Sequence, residues 1–278
     1  MRGAAGSLRR SPSLPAPLAL GAAIVTLILI CAVAPGVIAP YDPLAFDYTA
    51  LLAPPGAAHP FGADNFGRDI LSRVIYASRV DMQIALFATL GPLVVGSLVG
   101  LLAAFFGGWP DILLGRVIDL VLTFPFLVIV IAIVAVIGPG LFNLYVAVTV
   151  VGWVFYARLM RAEGIVQKQL DYVAAAHGLG FGWARILFRH ILPNAARPIL
   201  VYWVSDMALK ILLGSSLGYL GLGAQPPTAE WGVLVADGKN FFTQAWWMTF
   251  FPGAAIVLAG LGFSLVGDGL ADLMDVKR

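Results

Sequence analysis

Charge is what this chain has least of. Of 278 residues, 17 are Lys or Arg and 15 are Asp or Glu, so 12% are charged while 60% are apolar. A soluble globule carries about twice that charged share, and the composition belongs to an integral membrane protein. The net charge of +2 leaves no electrostatic footprint for a nucleic-acid partner. One cysteine, Cys31, lies in an apolar run, which excludes an intramolecular disulfide and reads as a small core residue. The three histidines, His59, His177 and His190, are too scattered for a metal-ligand cluster; the first reads as part of a turn and the others as polar surface or docking contacts. No serine has a histidine nearby in sequence, so no nucleophile–base arrangement is visible. A Gly-x-x-x-x-Gly-Lys-Ser/Thr segment is also missing; Gly238-Lys239-Asn240 is the nearest fragment. The chain therefore cannot cradle nucleotide phosphates by the P-loop route, and no cofactor is expected on it.

Long apolar runs are what it has. Six stretches reach the roughly 20 residues needed to cross a bilayer as helices: 18–38, 82–106, 117–137, 141–160, 198–222 and 246–267. Runs such as FLVIVIAIVAVIG do not alternate, so a β-barrel is excluded and helices that satisfy their own backbone are expected. The first stretch follows Arg2, Arg9 and Arg10 and ends in Ala32-Val33-Ala34, which imitates a secretory signal. Pro35 would follow the cut and disfavours it, so the stretch reads as an uncleaved anchor.

Orientation follows from Lys and Arg in the connecting segments. With the amino terminus in the cytoplasm, twelve fall inside: Arg2, Arg9, Arg10, Arg116, Arg158, Arg161, Lys168, Arg185, Arg189, Arg197, Lys277 and Arg278. Four fall outside, Arg68, Arg73, Arg79 and Lys239, and Lys210 lies within a span. The expected fold is thus an all-α integral membrane protein with six transmembrane helices and both termini cytoplasmic. It divides into a cytoplasmic tail (1–17), a first anchor (18–38), an extracytoplasmic segment (39–81) and a transmembrane domain (82–278) with a cytoplasmic loop at 161–197. Outside, the segment 39–81 opens with proline-rich turns. It continues as FGRDILSRVIYASRVDM, where Ile70, Val74 and Ile75 share a face, predicting an interfacial helix ahead of the second span. A shorter outer segment covers 223–245, and Gly138-Pro139-Gly140 predicts a tight hairpin.

The most polar interior stretch outside a span is DYVAAAHGLGFGWARILFRHILPN, residues 171–194. Asp171 is placed to cap a helix starting at Tyr172. Tyr172, Ala175, Ala176 and Leu179 would share one face, and Gly178 and Gly180 would loosen and end the helix. A second helical piece would carry Trp183, Ile186, Leu187 and Ile191, with Arg185 and Arg189 a turn apart, and Pro193 would close it. Ala174, Ala175 and Ala176 have no bulk to fill a core. Two readings follow: a loop helix tucked under its own bundle, or a docking helix for a partner protein.

This segment resembles the EAA loop of the permease subunits of bacterial ABC importers, whose pattern is Glu-Ala-Ala, three residues, Gly, nine residues, Ile, one residue, Leu-Pro. Ala175, Ala176, Gly180, Leu192 and Pro193 match; Ala174 stands in place of the glutamate and His190 in place of the isoleucine. HPFGADNFGRDILSRVIYASR (59–79), RAEGIVQKQLDYVAAAHGLG, RHILPNA, LGYLGLGAQPPTAEWG (217–232) and LVGDGLADLMD (265–275) are similar, in the same order, to the second permease of the dipeptide/oligopeptide/nickel branch. The resemblance implies a type I importer permease in the bacterial inner membrane, a non-catalytic subunit carrying peptides or a related small solute. It implies three kinds of protein partner: a second homologous permease, one or two ATPase subunits that bind ATP and Mg, and an extracytoplasmic solute-binding protein. It assigns ATPase coupling to residues 171–189 together with Leu192 and Pro193, and on that reading Ala176→Arg would uncouple transport while leaving the protein inserted.

Asp206 and Lys210 lie in the fifth span, four apart with the acid first. An isolated charge at the bilayer centre costs about 3 kcal/mol on insertion scales, so such groups pair or face a cavity. The pair is either a neutralised structural unit or a polar patch in a translocation path. Asp119, beside Arg116, reads as interfacial, and Trp109, Trp231, Trp246 and Trp247 as belt anchors. The rival function is a self-sufficient secondary transporter, which would show internal repeats, broken helices or buried ionisable relays; no repeat is apparent.

Overall fold

The computed structural model describes residues 16–274. The ends of the expected tail and the arginines at 2, 9, 10 and 278 lie outside them, with Lys277. Among the described residues the fold is all helical apart from one isolated bridge between Ala63 and Asp69. Five helices are long and apolar enough to cross a bilayer, and a bent pair counted as one broken span makes six.

Helix α1 (Ala16–Val33) gives way at Ala34 to a single turn, α2 (Pro35–Ile38). Proline cannot donate to the preceding turn and holds the residue before it out of the helical region; Ala34 sits at φ −124°, ψ 50°. The stretch 18–38 is therefore a helix with a break, not one span. Arg79 caps the freed end, its Nε donating to the Ala32 carbonyl at 2.9 Å and Nη2 to that of Val33 at 3.0 Å.

Helix α3 (Ile70–Phe106) is one continuous helix of 37 residues. At 1.5 Å per residue that is about 55 Å, well beyond the roughly 30 Å hydrocarbon core. The interfacial helix expected before residue 82 is its first part, buried in a cap rather than lying on a membrane surface. Helix α6 (Leu141–Lys168) packs along α3. A Cβ on Gly96 would overlap the Trp153 carbonyl and one on Gly100 that of Ala157, so the two backbones touch where the side chain is a hydrogen.

The third span is not straight. Helices α4 (Gly108–Leu122) and α5 (Phe126–Ile137) meet at 86°. Pro125 removes the next helical donor, and the last turn tightens, with Thr123 N reaching back to Leu120 and Phe124 N to Val121, each at 3.3 Å. The Thr123 hydroxyl then takes the Asp119 carbonyl that its own amide has left, at 2.9 Å. At its other end α4 is fastened to α6 by Asp111, which accepts from Arg161 Nε at 2.5 Å and Nη2 at 2.7 Å. Asp119 is exposed.

Beyond α7 (Asp171–Gly178), the one-turn α8 (Trp183–Arg185) runs through a π-helical turn, Ile186–Ile191, into α9 (Leu192–Tyr219). Pro193 does not close this segment. It sits in the first turn of α9, and the wider π turn before it absorbs the missing donor and the ring's clash with the Arg189 carbonyl. Helix α10 (Trp231–Gly238) and a 3₁₀ turn (Lys239–Phe241) precede α11 (Trp247–Leu273), which packs on α1 and α9.

At one end of the bundle, residues 39–69 fold with α10 into a cap over the start of α3. Trp231, 2% exposed, and Trp247, 6% exposed, are core residues of this end, donating to the Val74 and Ala63 carbonyls. They are not belt anchors, whereas Trp109 and Trp246 are exposed.

Candidate functional site

The end opposite the cap carries residues 171–194. Helix α7 has only eight residues, too short to hold alone in water. It is seated by Val173, 1% exposed, and Ala176, 4% exposed, which pack with Leu101 of α3, Tyr156 and Met160 of α6, and Ile186 and Leu187 of the π turn. Ala174, Ala175, His177, Gly178 and Gly180 are exposed, as are Arg185 and Arg189. The inward face is thus Val173 and Ala176 with Tyr172 at its edge. The expected grouping of Tyr172, Ala175, Ala176 and Leu179 does not form, and Leu179 is 72% exposed. Nor does Asp171 cap the helix: Leu170 holds that position without a side-chain bond, and Asp171 is the first helical residue, where its charge still suits the helix dipole.

The helix ends where the glycines predict. Gly180 lies at φ +75°, the amide of Phe181 returns to the Ala176 carbonyl at 3.2 Å, and that of Gly180 to His177 at 2.9 Å. This is the paired closure that a left-handed residue makes possible. Phe181 then receives the Arg185 guanidinium 4.0 Å from its ring centroid and the parallel His190 ring at 5.8 Å. His190 Nε2 is buried without a partner, so this histidine is a packing element rather than polar surface. His177 Nδ1 lies 3.0 Å from the Val173 carbonyl, within its own helix. Leu192 is half-buried against the same core, and Pro193 is exposed. The outward face joins the small residues Ala174, Ala175, Gly178 and Gly180 with Asp171, His177 and Leu179, and Arg185 and Arg189 follow on the next segment.

Midway along α9, Lys210 Nζ donates to Asp206 Oδ1 at 3.0 Å, and the Tyr156 hydroxyl donates to Oδ2 at 2.8 Å. Phe126, the first residue of α5, holds its ring centroid 4.7 Å from Nζ. The pair is joined within the bundle, and it floors an open cleft of about 350 Å³ between α5, α6 and α9. Phe155, Tyr202, Leu209 and Leu213 form its walls.

The sequence reading missed the polar core of the cap. Asp64, with no exposed surface, accepts from the Phe66 and Arg68 amides, from Arg68 Nε at 2.6 Å and from Arg73 Nη1 at 2.7 Å. Arg73 Nη2 reaches Asp237 at 3.2 Å, across 164 residues. Asp69 caps α3 through the Ser72 amide at 2.7 Å and meets His59 Nδ1 at 3.0 Å, so His59 is a hydrogen-bond partner as well as a turn residue. Glu230 caps α10 through the Gly232 and Val233 amides and lies beside Asp81, which accepts from the Trp231 amide at 3.1 Å. Burial raises the Glu230 carboxyl from its ordinary value, against the pull of those two amides. Two signals were available: the Asp-x-Phe turn beginning at Asp64, and charges that in so apolar a chain needed partners. Arg68, Arg73, Asp237 and Thr228 border a second cleft, of about 330 Å³, on this cap.

Known proteins resemble this arrangement along nearly all of its length. The Probable D,D-dipeptide transport system permease protein DdpC of Escherichia coli is 42% identical over 256 residues, covering 92% of this chain and 86% of the relative. The Dipeptide transport system permease protein DppC of Alkalihalophilus pseudofirmus is 42% identical over 223 residues, 80% of this chain and 73% of its own. The Di/tripeptide transport system permease protein DppC of Pseudomonas aeruginosa is 39% identical over 263 residues, 92% and 87% respectively. The profile of the family described as "Binding-protein-dependent transport system inner membrane component" matches residues 96–278. The broken third span is a feature expected of a self-sufficient transporter, but dependence on a binding protein is not, and that reading falls. The chain belongs to the family of binding-protein-dependent transport system inner membrane components, the non-catalytic membrane subunits of ABC importers, whose ATPase is a separate chain.

Proposed function

We propose that this chain is the permease subunit of a peptide importer and that α7 is the handle by which a separate ATPase moves it. Peptide cargo rests on the relatives, whose names specify D,D-dipeptide, dipeptide and di/tripeptide transport. The coupling role rests on one observation: α7 is seated by Val173 and Ala176, yet presents the small residues Ala174, Ala175 and Gly178 outward, beside Asp171 and His177. Such a surface lets another backbone approach closely, and the loss of Glu at position 174 leaves that shape intact.

On this reading the loop end, 161–197, lies in the cytoplasm with both termini, an orientation supported by the distribution of Lys and Arg. The cap, formed by 39–81 and 223–245, faces outward and receives solute from the binding protein. Residues 82–278 form half of the translocation path, and a second homologous permease forms the other half. One or two ATPase chains hold ATP and Mg. Closure of the ATPase pushes α7, which bears on the π turn, and the continuous helix from Trp183 to Tyr219 carries the displacement past Asp206 and Lys210 to the cap. The exposed arginines 185 and 189 add charge to the docking face.

Purification of the tagged chain from its native membrane in mild detergent tests this. A second six-span protein and a P-loop ATPase are expected with it, and ATP-driven dipeptide uptake after reconstitution with the binding protein. Recovery of the chain alone, transporting in liposomes without ATP, would overturn the proposal.

A further inference from the structure

The cleft floored by Lys210 has the chemistry to hold an anion. An ammonium group carries three N–H donors, and here one goes to Asp206 Oδ1 at 3.0 Å. Among the described residues no other acceptor reaches Nζ; its second neighbour is the face of Phe126. Asp206 is fully engaged on the protein side, one oxygen by Lys210 and the other by the buried Tyr156 hydroxyl. Of the pair, the cation is the member with binding capacity left. Beside it Tyr202 lines the cleft, packed edge-on against Tyr156 at 5.1 Å, and among the described residues its hydroxyl has no hydrogen-bond partner.

We propose that Lys210 and Tyr202 form a carboxylate-binding subsite in the translocation path, taking the C-terminal carboxylate of a passing peptide. The proposal rests on the reading of this chain as a peptide permease. Asp206 positions Lys210 and keeps the empty site neutral. Phe126 covers the ammonium when no anion is present; a ring face holds a cation less strongly than a carboxylate does, so the ligand displaces it. Phe126 is the first residue after the 86° break, so the ring can swing away without any change in α9. Of the remaining walls, Phe155, Leu209 and Leu213 are apolar, and the one further polar group, the Ser216 hydroxyl, donates to the Leu212 carbonyl of its own helix. One fixed anchor for a group every linear peptide carries, in an otherwise undiscriminating cleft, suits a path that passes many sequences. The location helps: α9 has 28 residues and the pair is near its middle, where low dielectric strengthens charge pairing.

The test uses the whole importer in nanodiscs, without binding protein or ATP. The probe is a dipeptide bearing a benzophenone side chain, as the free acid and as its C-terminal amide. After irradiation, mass spectrometry maps the label. The free acid is expected to label α5 and α9 around the cleft, and the amide about tenfold less, as loss of one charge-assisted contact implies. Lys210→Arg retains the preference. Lys210→Met alone strands the Asp206 charge, so the decisive variant is the neutral double substitution Asp206→Asn with Lys210→Met. It is expected to keep the thermal midpoint of the wild type and to lose the acid preference. Equal labelling by acid and amide, absence of label from the cleft, or an undiminished preference in the double variant would overturn the subsite. Uptake of dipeptide by the reconstituted wild type with its binding protein is measured alongside. Failure there would overturn the peptide reading itself, whatever the labelling shows.

Discussion

Two neighbouring alanines in α7 are expected to respond to the same substitution differently, one in coupling alone and the other in stability as well. Ala175 is exposed, and Ala176, at 4% exposure, packs under the helix with Val173. Burying a valine side chain is worth about 1.5–3 kcal/mol and a single methyl about 0.8 kcal/mol, so the seat of α7 amounts to roughly 2–4 kcal/mol. Arginine at 176 would bring a guanidinium into that core at a cost of several kcal/mol, more than the seat supplies. The helix would be expelled from its seat, so Ala176→Arg disturbs local packing as well as the coupling that the sequence reading assigned to it. Arginine at 175 points away from the core and should alter folding stability by no more than about 0.5 kcal/mol. What it changes is the outer surface, where a long side chain would stand in place of a methyl group. If a partner packs there, a loss of about 1–3 kcal/mol in coupling is a 5- to 150-fold effect.

The assay has two arms. Thermal unfolding and chymotrypsin cleavage after Tyr172 or Phe181, both half-buried in the seated helix, report the seating of α7. ATP hydrolysis by the reconstituted importer, with and without loaded binding protein, reports coupling. Ala175→Arg should keep the wild-type midpoint and cleavage pattern and lose solute-stimulated hydrolysis. Ala176→Arg should lower the midpoint, open the cleavage site and lose stimulation too. Val173→Ala should fall between, with partial loss of both. Normal solute-stimulated hydrolysis and uptake in Ala175→Arg would refute the assignment of α7 as the handle.

Gly96→Val should separate α3 from α6, because its Cβ would overlap the Trp153 carbonyl. A lowered thermal midpoint is expected, whereas Gly115→Ala, with no atom near its Cβ, should leave it unchanged. Asp64→Ala would strand Arg68 and Arg73 in the cap, and denaturant unfolding should show a loss of about 3–5 kcal/mol. Asp237 is 36% exposed, so Asp237→Ala should cost under about 1 kcal/mol in the same measurement. Because burial raises the Glu230 carboxyl, the folded cap holds its proton more tightly than the unfolded chain does. That stability is full below the ordinary glutamate value of 4.5 and is lost as pH rises through the folded value. Thermal midpoints measured from about pH 4 upward should therefore fall in the wild type, and fall less in Glu230→Gln.

Much of this was legible in one dimension. Helical class and the number of crossings follow from the length of apolar runs, because a helix in lipid must satisfy its own backbone. Gly180 as the end of α7 follows from the one residue type at ease at φ +75°. Asp206 and Lys210 follow from their spacing, since residues four apart meet on a helix whatever surrounds them. The loop between the fourth and fifth spans was visible as polarity where the chain is otherwise apolar.

Tertiary structure decided the rest, wherever the choice depended on what lay opposite. An alanine triplet carries no mark of which methyl points inward; the side chains of Leu101, Met160 and Ile186 select Ala176. Thr123-Phe124-Pro125 is short enough for an apolar run to bridge it, yet those residues turn the third span through 86° and set Phe126 over Lys210. The cap joins Asp64, Arg73 and Asp237 across 164 residues, and it encloses Trp231 and Trp247, which their positions near span ends had assigned to the membrane surface. Local chemistry alone determined the helices and their ends. Which face is buried, and which charge finds which partner, was set by neighbours distant in the chain.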